Sequence, residues 1–208
     1  MTKGRLVAVV GPSGVGKDSV MAALKNAIPT MHQMRRVVTR AKGTSGEGCE
    51  AVLADDFAAM AANGTFVVHW RACGLCYGIP LSVQDHLNAG TDCLVNFSCR
   101  ALAEASTIFP HILALNITAQ PGTLAKRRFV HGHETEQEIA MQLAQAKKPL
   151  PNGLDVITSP TMDPFLRRLP ARLHCFIRRK RTMDHLRPPT FKLPTRPNRT
   201  NDKEAYRL

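Results

Sequence analysis

Residues 11–17 read Gly-Pro-Ser-Gly-Val-Gly-Lys, and three glycines at this spacing ahead of one lysine are suited to holding an anion. Gly11, Gly14 and Gly16 let the backbone turn tightly enough for successive N–H groups to converge on one phosphate, and Lys17 sets an ammonium against the β- and γ-phosphates. The apolar run Leu6-Val7-Ala8-Val9-Val10 precedes the loop and a helical pattern from Ser19 follows it, which is the strand–loop–helix context the motif needs. A bare glycine turn is the competing reading. The reduced pattern arises by chance in roughly 5% of chains of this length, and the flanking strand and helix cut that several-fold, so phosphate binding is preferred. Gly11, Pro12, Ser13, Gly14, Val15, Gly16, Lys17, Asp18 and Ser19 are therefore expected to bind ATP.

Two positions depart from the usual pattern. Asp18 stands where a hydroxyl normally ligates Mg²⁺, with Ser19 next, and the buried run Cys93-Leu94-Val95 ends in Asn96, where P-loop enzymes often carry an aspartate. The expectation is that the metal carboxylate has moved from the strand end to the loop. Asp18 would then hold Mg²⁺ directly or through water, with Ser19 beside it contacting an α- or β-phosphate. The alternative is that Asp18 only complements the positive end of its helix.

Phosphoryl transfer depends on positioning and on neutralising the charge of the moving group. Cations cluster at Lys17, at Arg35-Arg36 with Arg40, and at Lys126-Arg127-Arg128. The third cluster precedes His131-Gly132-His133-Glu134, a short glycine-containing connection of the kind that closes as a lid, from which Arg127 or Arg128 would reach the transferring group. Arg40 is expected to meet an acceptor phosphate. Such an acceptor is already an anion and needs no general base. No rival nucleophilic constellation exists: Ser13 belongs to the loop, and His69 precedes Trp70 at a strand end.

These residues need a scaffold. Strand signals recur at 6–10, 36–39, 66–70, 93–96, 112–117 and 155–157, most of them continuous apolar runs of the buried parallel type. Helical stretches alternate with them: 18–27, 55–62, a segment opened by Pro80 and ended by Gly90, one opened by Pro121, and one after the capping box Thr135-Glu136-Gln137-Glu138. The alternation predicts an α/β fold, a parallel central sheet with helices on both faces and ligands at the carboxyl ends of the strands. The stretch 40–50, rich in glycine and serine, reads as a loop near the strand ends, within an acceptor-binding segment expected over about residues 40–80, and the lid is expected over about 126–135.

The 208 residues suffice for one such domain. No apolar run approaches the roughly 18 residues of a membrane span, and no export signal is evident, so a soluble cytoplasmic protein with reduced cysteines is expected. Cys73-Gly-Leu-Cys76 has no matching second ligand pair and reads as loop rather than zinc site. The net charge is +12. From Pro160 onward 13 Lys and Arg face 4 Asp and Glu, a net +9, and seven of the 14 prolines lie there. Residues 159–208 are therefore expected to form a basic, poorly ordered tail after a kinase domain of residues 1–158. The tail is read as solvated rather than as a specific nucleic-acid binder.

Gly11 to Ser19, Arg36-Val37-Val38-Thr39-Arg40, Gly46-Glu47, His69-Trp70, Tyr77-Gly78-Ile79-Pro80 and Val95-Asn96 together resemble the ribose 1,5-bisphosphate phosphokinase family of phosphonate catabolism, over about residues 5–158. That family is similar to guanylate kinase in fold. The resemblance implies ATP-dependent formation of phosphoribosyl pyrophosphate. It also implies that Arg36 and Arg40 approach an acceptor phosphate, that Glu47 accepts bonds from ribose hydroxyls and that Tyr77 contacts an acceptor phosphate. Trp70 would wall the pocket, or belong to the core. Guanylate or another nucleoside monophosphate kinase is the nearest alternative, but the aromatic expected to follow Gly46-Glu47 for holding a base is missing. An alternative of another class is a non-catalytic guanylate-kinase-like binding module. The intact loop with Lys17 weighs against it. The partners expected are small molecules, with no membrane; self-association stays open.

Overall fold

The computed structural model describes residues 3–40, 48–120, 150–160 and 165–184. Its elements are β1 (Leu6–Val10), α1 (Lys17–Ala27), β2 (His32–Gln33), β3 (Arg36–Thr39), β4 (Cys49–Val52), α2 (Ala54–Ala62), β5 (Phe66–Ala72), β6 (Leu75–Pro80), α3 (Ser82–Asn88), β7 (Cys93–Asn96), α4 (Cys99–Ile108), β8 (Leu113–Thr118), β9 (Asp155–Pro160) and α5 (Phe165–Asp184). Five strands form a parallel sheet in the order β2-β7-β1-β8-β9. The central strand β1 is buried at every residue because each of its faces meets a different core. Leu6, Ala8 and Val10 pack with Val83, Leu87, Leu102 and Phe109 on one side, whereas Val7 and Val9 pack with Val20, Met21, Leu24 and Leu173 on the other. A strand covered on both faces has no reason to alternate polar with apolar, so it reads as a continuous run.

The central sheet is parallel as expected, but two of the expected strands lie outside it. The strands at 36–39 and 66–70 belong to a second, four-stranded sheet in the order β4-β3-β6-β5, in which β3–β4 is parallel and the β6 pairings are antiparallel. Sequence periodicity missed β4 and β6 because no residue of β4 is buried, and β6, Leu-Cys-Tyr-Gly-Ile-Pro, buries only Gly78 and Ile79 and contains two strand breakers. Gly78 is explained by steric contact: a Cβ there would lie 2.5 Å from the Phe66 ring. Pro80 ends β6 rather than opening α3. Cys49 and Glu50, expected in a loop, lie in β4. The expected helices after Pro121 and after the Thr135 capping box lie outside the described residues.

The division at residue 158 also needs correction. β9 continues to Pro160, and α5 follows over Phe165–Asp184 with Pro170 inside it. An internal proline costs a helix about 3 kcal/mol. Leu169, Leu173 and Ile177, spaced four apart and 0–5% exposed, each contribute roughly 1.5–3 kcal/mol on burial. Burial wins, and this basic stretch is a docked helix on the core that contains Val7 and Val9. No helix among the described residues is long and apolar enough to cross a membrane.

Candidate active site

The loop between β1 and α1 lies at the carboxyl edge of the parallel sheet. Gly11, Gly14 and Gly16 have φ of 146°, 73° and 91°, values that L side chains rarely adopt. Val15, fully buried, anchors the loop from beneath, and its N–H donates to the Pro12 carbonyl at 3.3 Å. Lys17 Nζ donates to the carbonyls of Gly11 at 3.0 Å and Pro12 at 2.9 Å, so the ammonium is held against the loop whose amides it assists. A Cβ at Gly11 would stand 2.3 Å from the Ile117 carbonyl oxygen. Gly11→Ala is therefore expected to destabilise the fold by about 3 kcal/mol from clash and backbone strain. Thermal melting should register this as a fall in Tm of roughly 6–12 °C, and an unchanged Tm would mean that β8 does not confine the loop.

The strand-end asparagine and the loop carboxylate come together. Asn96 Nδ2 donates to Asp18 Oδ1 at 3.0 Å, although the two residues are 78 positions apart. Asp18 is exposed in the first turn of α1, whereas Asn96 is 6% exposed. Parallel pairing of β7 with β1 sets Asn96 opposite Val9, and the Phe97 N–H donates to the Val9 carbonyl at 2.9 Å. The second side-chain atom, Asn96 Oδ1, is buried and has no hydrogen-bond partner among the described residues, a state that ordinarily costs about 1–3 kcal/mol. Beside it lie hard oxygen donors of the kind Mg²⁺ selects.

Across from the loop, the second sheet presents an aromatic column. Trp70 and Tyr77 are cross-strand partners in β5 and β6 and stack with ring centroids 5.5 Å apart, and Trp70 stacks in turn on Phe97 at 5.6 Å. The Arg36 guanidinium caps the column 5.0 Å from the Tyr77 ring centroid. Its Nε donates to Cys49 Sγ at 3.4 Å and its Nη1 to the Asn96 backbone carbonyl at 3.4 Å. Cation–π contact and ring stacking each contribute about 1 kcal/mol, enough to hold a long side chain in one direction. Burial pushes the Tyr77 phenol above its usual range, while the positive charges of Arg36 and Arg40 pull it down. Arg40, exposed just past β3, thus lies within electrostatic reach of the same tyrosine. Trp70 both walls this face and packs against the core.

Arg36, Arg40 and Tyr77 accordingly form one group and Gly11–Ser19 another, with Asn96 between them. Glu47, Arg127, Arg128 and the expected lid lie outside the described residues. Cys73 and Gly74 form the β5–β6 turn, both at positive φ, as short hairpin turns require. Three residues of the site take their places through contacts that the sequence did not show. Asn96 was visible as a strand end but not as the partner of Asp18. Phe97 carried no sequence signal for the site. Cys99 opens α4, whose N-cap Ser98 accepts from the Ala101 N–H at 3.2 Å. Burial raises the Cys99 thiol, opposed by a hydrogen bond with the Gly11 backbone and by the Lys17 charge, so α4 abuts the phosphate loop.

No protein-family model matches the chain. The chain is 42% identical over 152 residues to "Ribose 1,5-bisphosphate phosphokinase PhnN" of Ruegeria sp., an alignment covering 73% of this chain and 80% of that protein. It is 38% identical over 156 residues to the protein of the same name from Agrobacterium fabrum, covering 74% of this chain and 85% of the relative. Among solved structures, guanylate kinase from Anaplasma phagocytophilum matches with a TM-score of 0.64 at 17% identity, over 86% of this chain and 87% of that one. That last likeness establishes a P-loop kinase fold of guanylate-kinase type. Identity near 40% over most of both sequences goes further: the chain belongs to the ribose 1,5-bisphosphate phosphokinase family.

Proposed function

We propose that the chain transfers the terminal phosphoryl group of ATP to the 1-phosphate of ribose 1,5-bisphosphate, yielding 5-phosphoribosyl 1-diphosphate. The observation that carries this reading is the meeting of two anion-binding groups at one residue. Asn96 touches Asp18 of the nucleotide loop through its side chain and Arg36 of the aromatic column through its carbonyl. The converging loop amides and Lys17 would bind the donor phosphates. Arg36 and Arg40 would bind the acceptor, neutralising the repulsion between two anions that otherwise opposes their approach. The attacking phosphate oxygen forms the new P–O bond as the bond to the ADP leaving oxygen breaks. The attacking oxygen carries no proton to be removed, so the reaction requires no general base.

Asp18 and Ser19 are the residues we assign to Mg²⁺, which would neutralise charge on the β- and γ-phosphate oxygens. An exposed carboxylate beside an unpartnered buried carbonyl oxygen suits a hydrated hard cation. The assignment extends, on sequence grounds, to Arg127 and Arg128 as lid arginines and to Glu47 toward the ribose hydroxyls. Phosphonate catabolism and a cytoplasmic setting belong to the same proposal.

The test is an acceptor comparison. Purified protein with ATP and Mg²⁺ is offered ribose 1,5-bisphosphate or GMP, and phosphoribosyl diphosphate and GDP are scored by ³¹P NMR. Product from the sugar bisphosphate alone is expected. GDP formation at a comparable rate would replace this reading with a nucleotide kinase, and no turnover with either acceptor would replace it with a binding module.

A further inference from the structure

Asn96 holds two contacts and leaves one atom open. Its Nδ2 must be the atom facing Asp18, because a carboxylate only accepts, and this identifies the open atom as the carbonyl oxygen Oδ1. That oxygen is buried on a residue 6% exposed, fixed by the β7–β1 register rather than by a mobile loop. An acceptor kept dry without a donor persists where a donor arrives from outside the protein. The donor has to suit its surroundings: the Asp18 carboxylate lies on one side, and the phosphate loop follows directly in the chain before Asp18. A water polarised by a divalent cation meets that condition, since it donates to oxygen while its cation is drawn to carboxylate and phosphate.

We propose that Asn96 is the positioning residue that sets donor and acceptor in common register. Its amide orients Asp18, its Oδ1 accepts from a water of the Mg²⁺ hydration shell, and its backbone carbonyl ties Arg36 to the same point. The inference rests on the kinase reading above and adds to it the residue through which the metal–nucleotide half and the acceptor half are aligned. It also accounts for an amide where a strand-end carboxylate would otherwise serve. With Asp18 supplying the charge, a second carboxylate 3 Å away would repel it, whereas an amide bonds it and still offers an oxygen.

The experiment reads binding rather than turnover. Displacement of a fluorescent ATP analogue by ATP is measured with Mg²⁺ and with EDTA, which gives the factor by which the metal tightens ATP binding. Asn96→Ala is expected to shrink this factor about tenfold while leaving the EDTA affinity within about twofold. Asp18→Asn should lose it as well. The double variant Asp18→Asn with Asn96→Asp, which remakes the amide–carboxylate bond with the donor on the loop, should regain at least half of the lost factor, a rescue that a purely structural Asn96 would not produce. The proposal is overturned if Asn96→Ala keeps the full metal effect, if the unmodified chain has none, or if the double variant binds no better than Asp18→Asn. Should Asn96→Ala fail to fold, the comparison of the double variant with Asp18→Asn, a change at an exposed position, decides alone. If the unmodified chain shows the metal effect yet forms no product from ribose 1,5-bisphosphate, the substrate assignment falls, and the rescue result still decides the role of Asn96.

Discussion

Lys17→Ala should lower kcat by about 10²–10³-fold, a loss of roughly 2.7–4 kcal/mol of transition-state stabilisation, while leaving the far-UV circular dichroism spectrum unchanged. The two effects separate because the lysine does different work in the two states. In the folded protein its ammonium donates to the carbonyls of Gly11 and Pro12, which lie in a partly exposed loop where water replaces the lost donor. The stability cost is then about 1 kcal/mol. In the transition state of the proposed reaction the same ammonium would face charge building on the β–γ bridging oxygen inside a cradle of backbone amides, where no water would substitute for it. Lys17→Arg should recover little, since a planar guanidinium cannot occupy the point-charge position between two carbonyls about 3 Å away. Steady-state kinetics at saturating ATP and acceptor, with a thermal melt alongside, checks both halves. A Lys17→Ala enzyme retaining more than a tenth of kcat would show that the loop's amides carry the phosphoryl group without the lysine.

The phosphate loop was legible because its chemistry is local. Six consecutive residues after an apolar run specify the backbone shape, and the glycine φ values follow from it. The parallel sheet was legible for a related reason: β1 is buried at every residue and reads as an unbroken apolar run, and β7 and β8 open on the buried apolar runs Cys93-Leu94-Val95 and Leu113-Ala114-Leu115. The second sheet was harder. β4 and β6 contain Cys and Pro at half-buried positions and a buried Gly78, and their identity as strands comes from pairing with β3 and β5, which no window of sequence contains. The docking of α5 was hidden by its internal Pro170 and its charge, although Leu169, Leu173 and Ile177 were spaced for burial throughout. In the site itself, Arg36 and Tyr77 were identified one by one from the family resemblance. Their stacking with Trp70 and Phe97 depends on contacts between residues up to 41 positions apart, from Arg36 to Tyr77. The bond from Asn96 to Asp18 is of the same kind: each residue was conspicuous alone, and only the strand order β7-β1 makes them neighbours.

The acceptor half of the site yields the second large effect. Arg36→Ala is expected to raise the KM for ribose 1,5-bisphosphate by roughly 10–100-fold, the equivalent of about 1.5–3 kcal/mol for a charged hydrogen bond, with the KM for ATP changed by no more than about twofold. The asymmetry follows from where Arg36 is anchored. Its side chain touches Tyr77, Cys49 and the carbonyl of Asn96, and none of these belongs to the loop that cradles the nucleotide. Arg36→Lys separates charge from geometry. A lysine keeps the positive charge but loses the planar face that lies over Tyr77 and the fork that reaches two anchors at once, so it should recover only part of the loss. Trp70, the only tryptophan, gives an independent readout because it stacks on Tyr77. Saturating acceptor should change its emission in the unmodified protein at low micromolar to millimolar titrant, and in Arg36→Ala the same change should need at least tenfold more. Equal titration curves for the two proteins would separate Arg36 from the acceptor and leave Arg40, exposed past the end of β3, as the sole described arginine assigned to it.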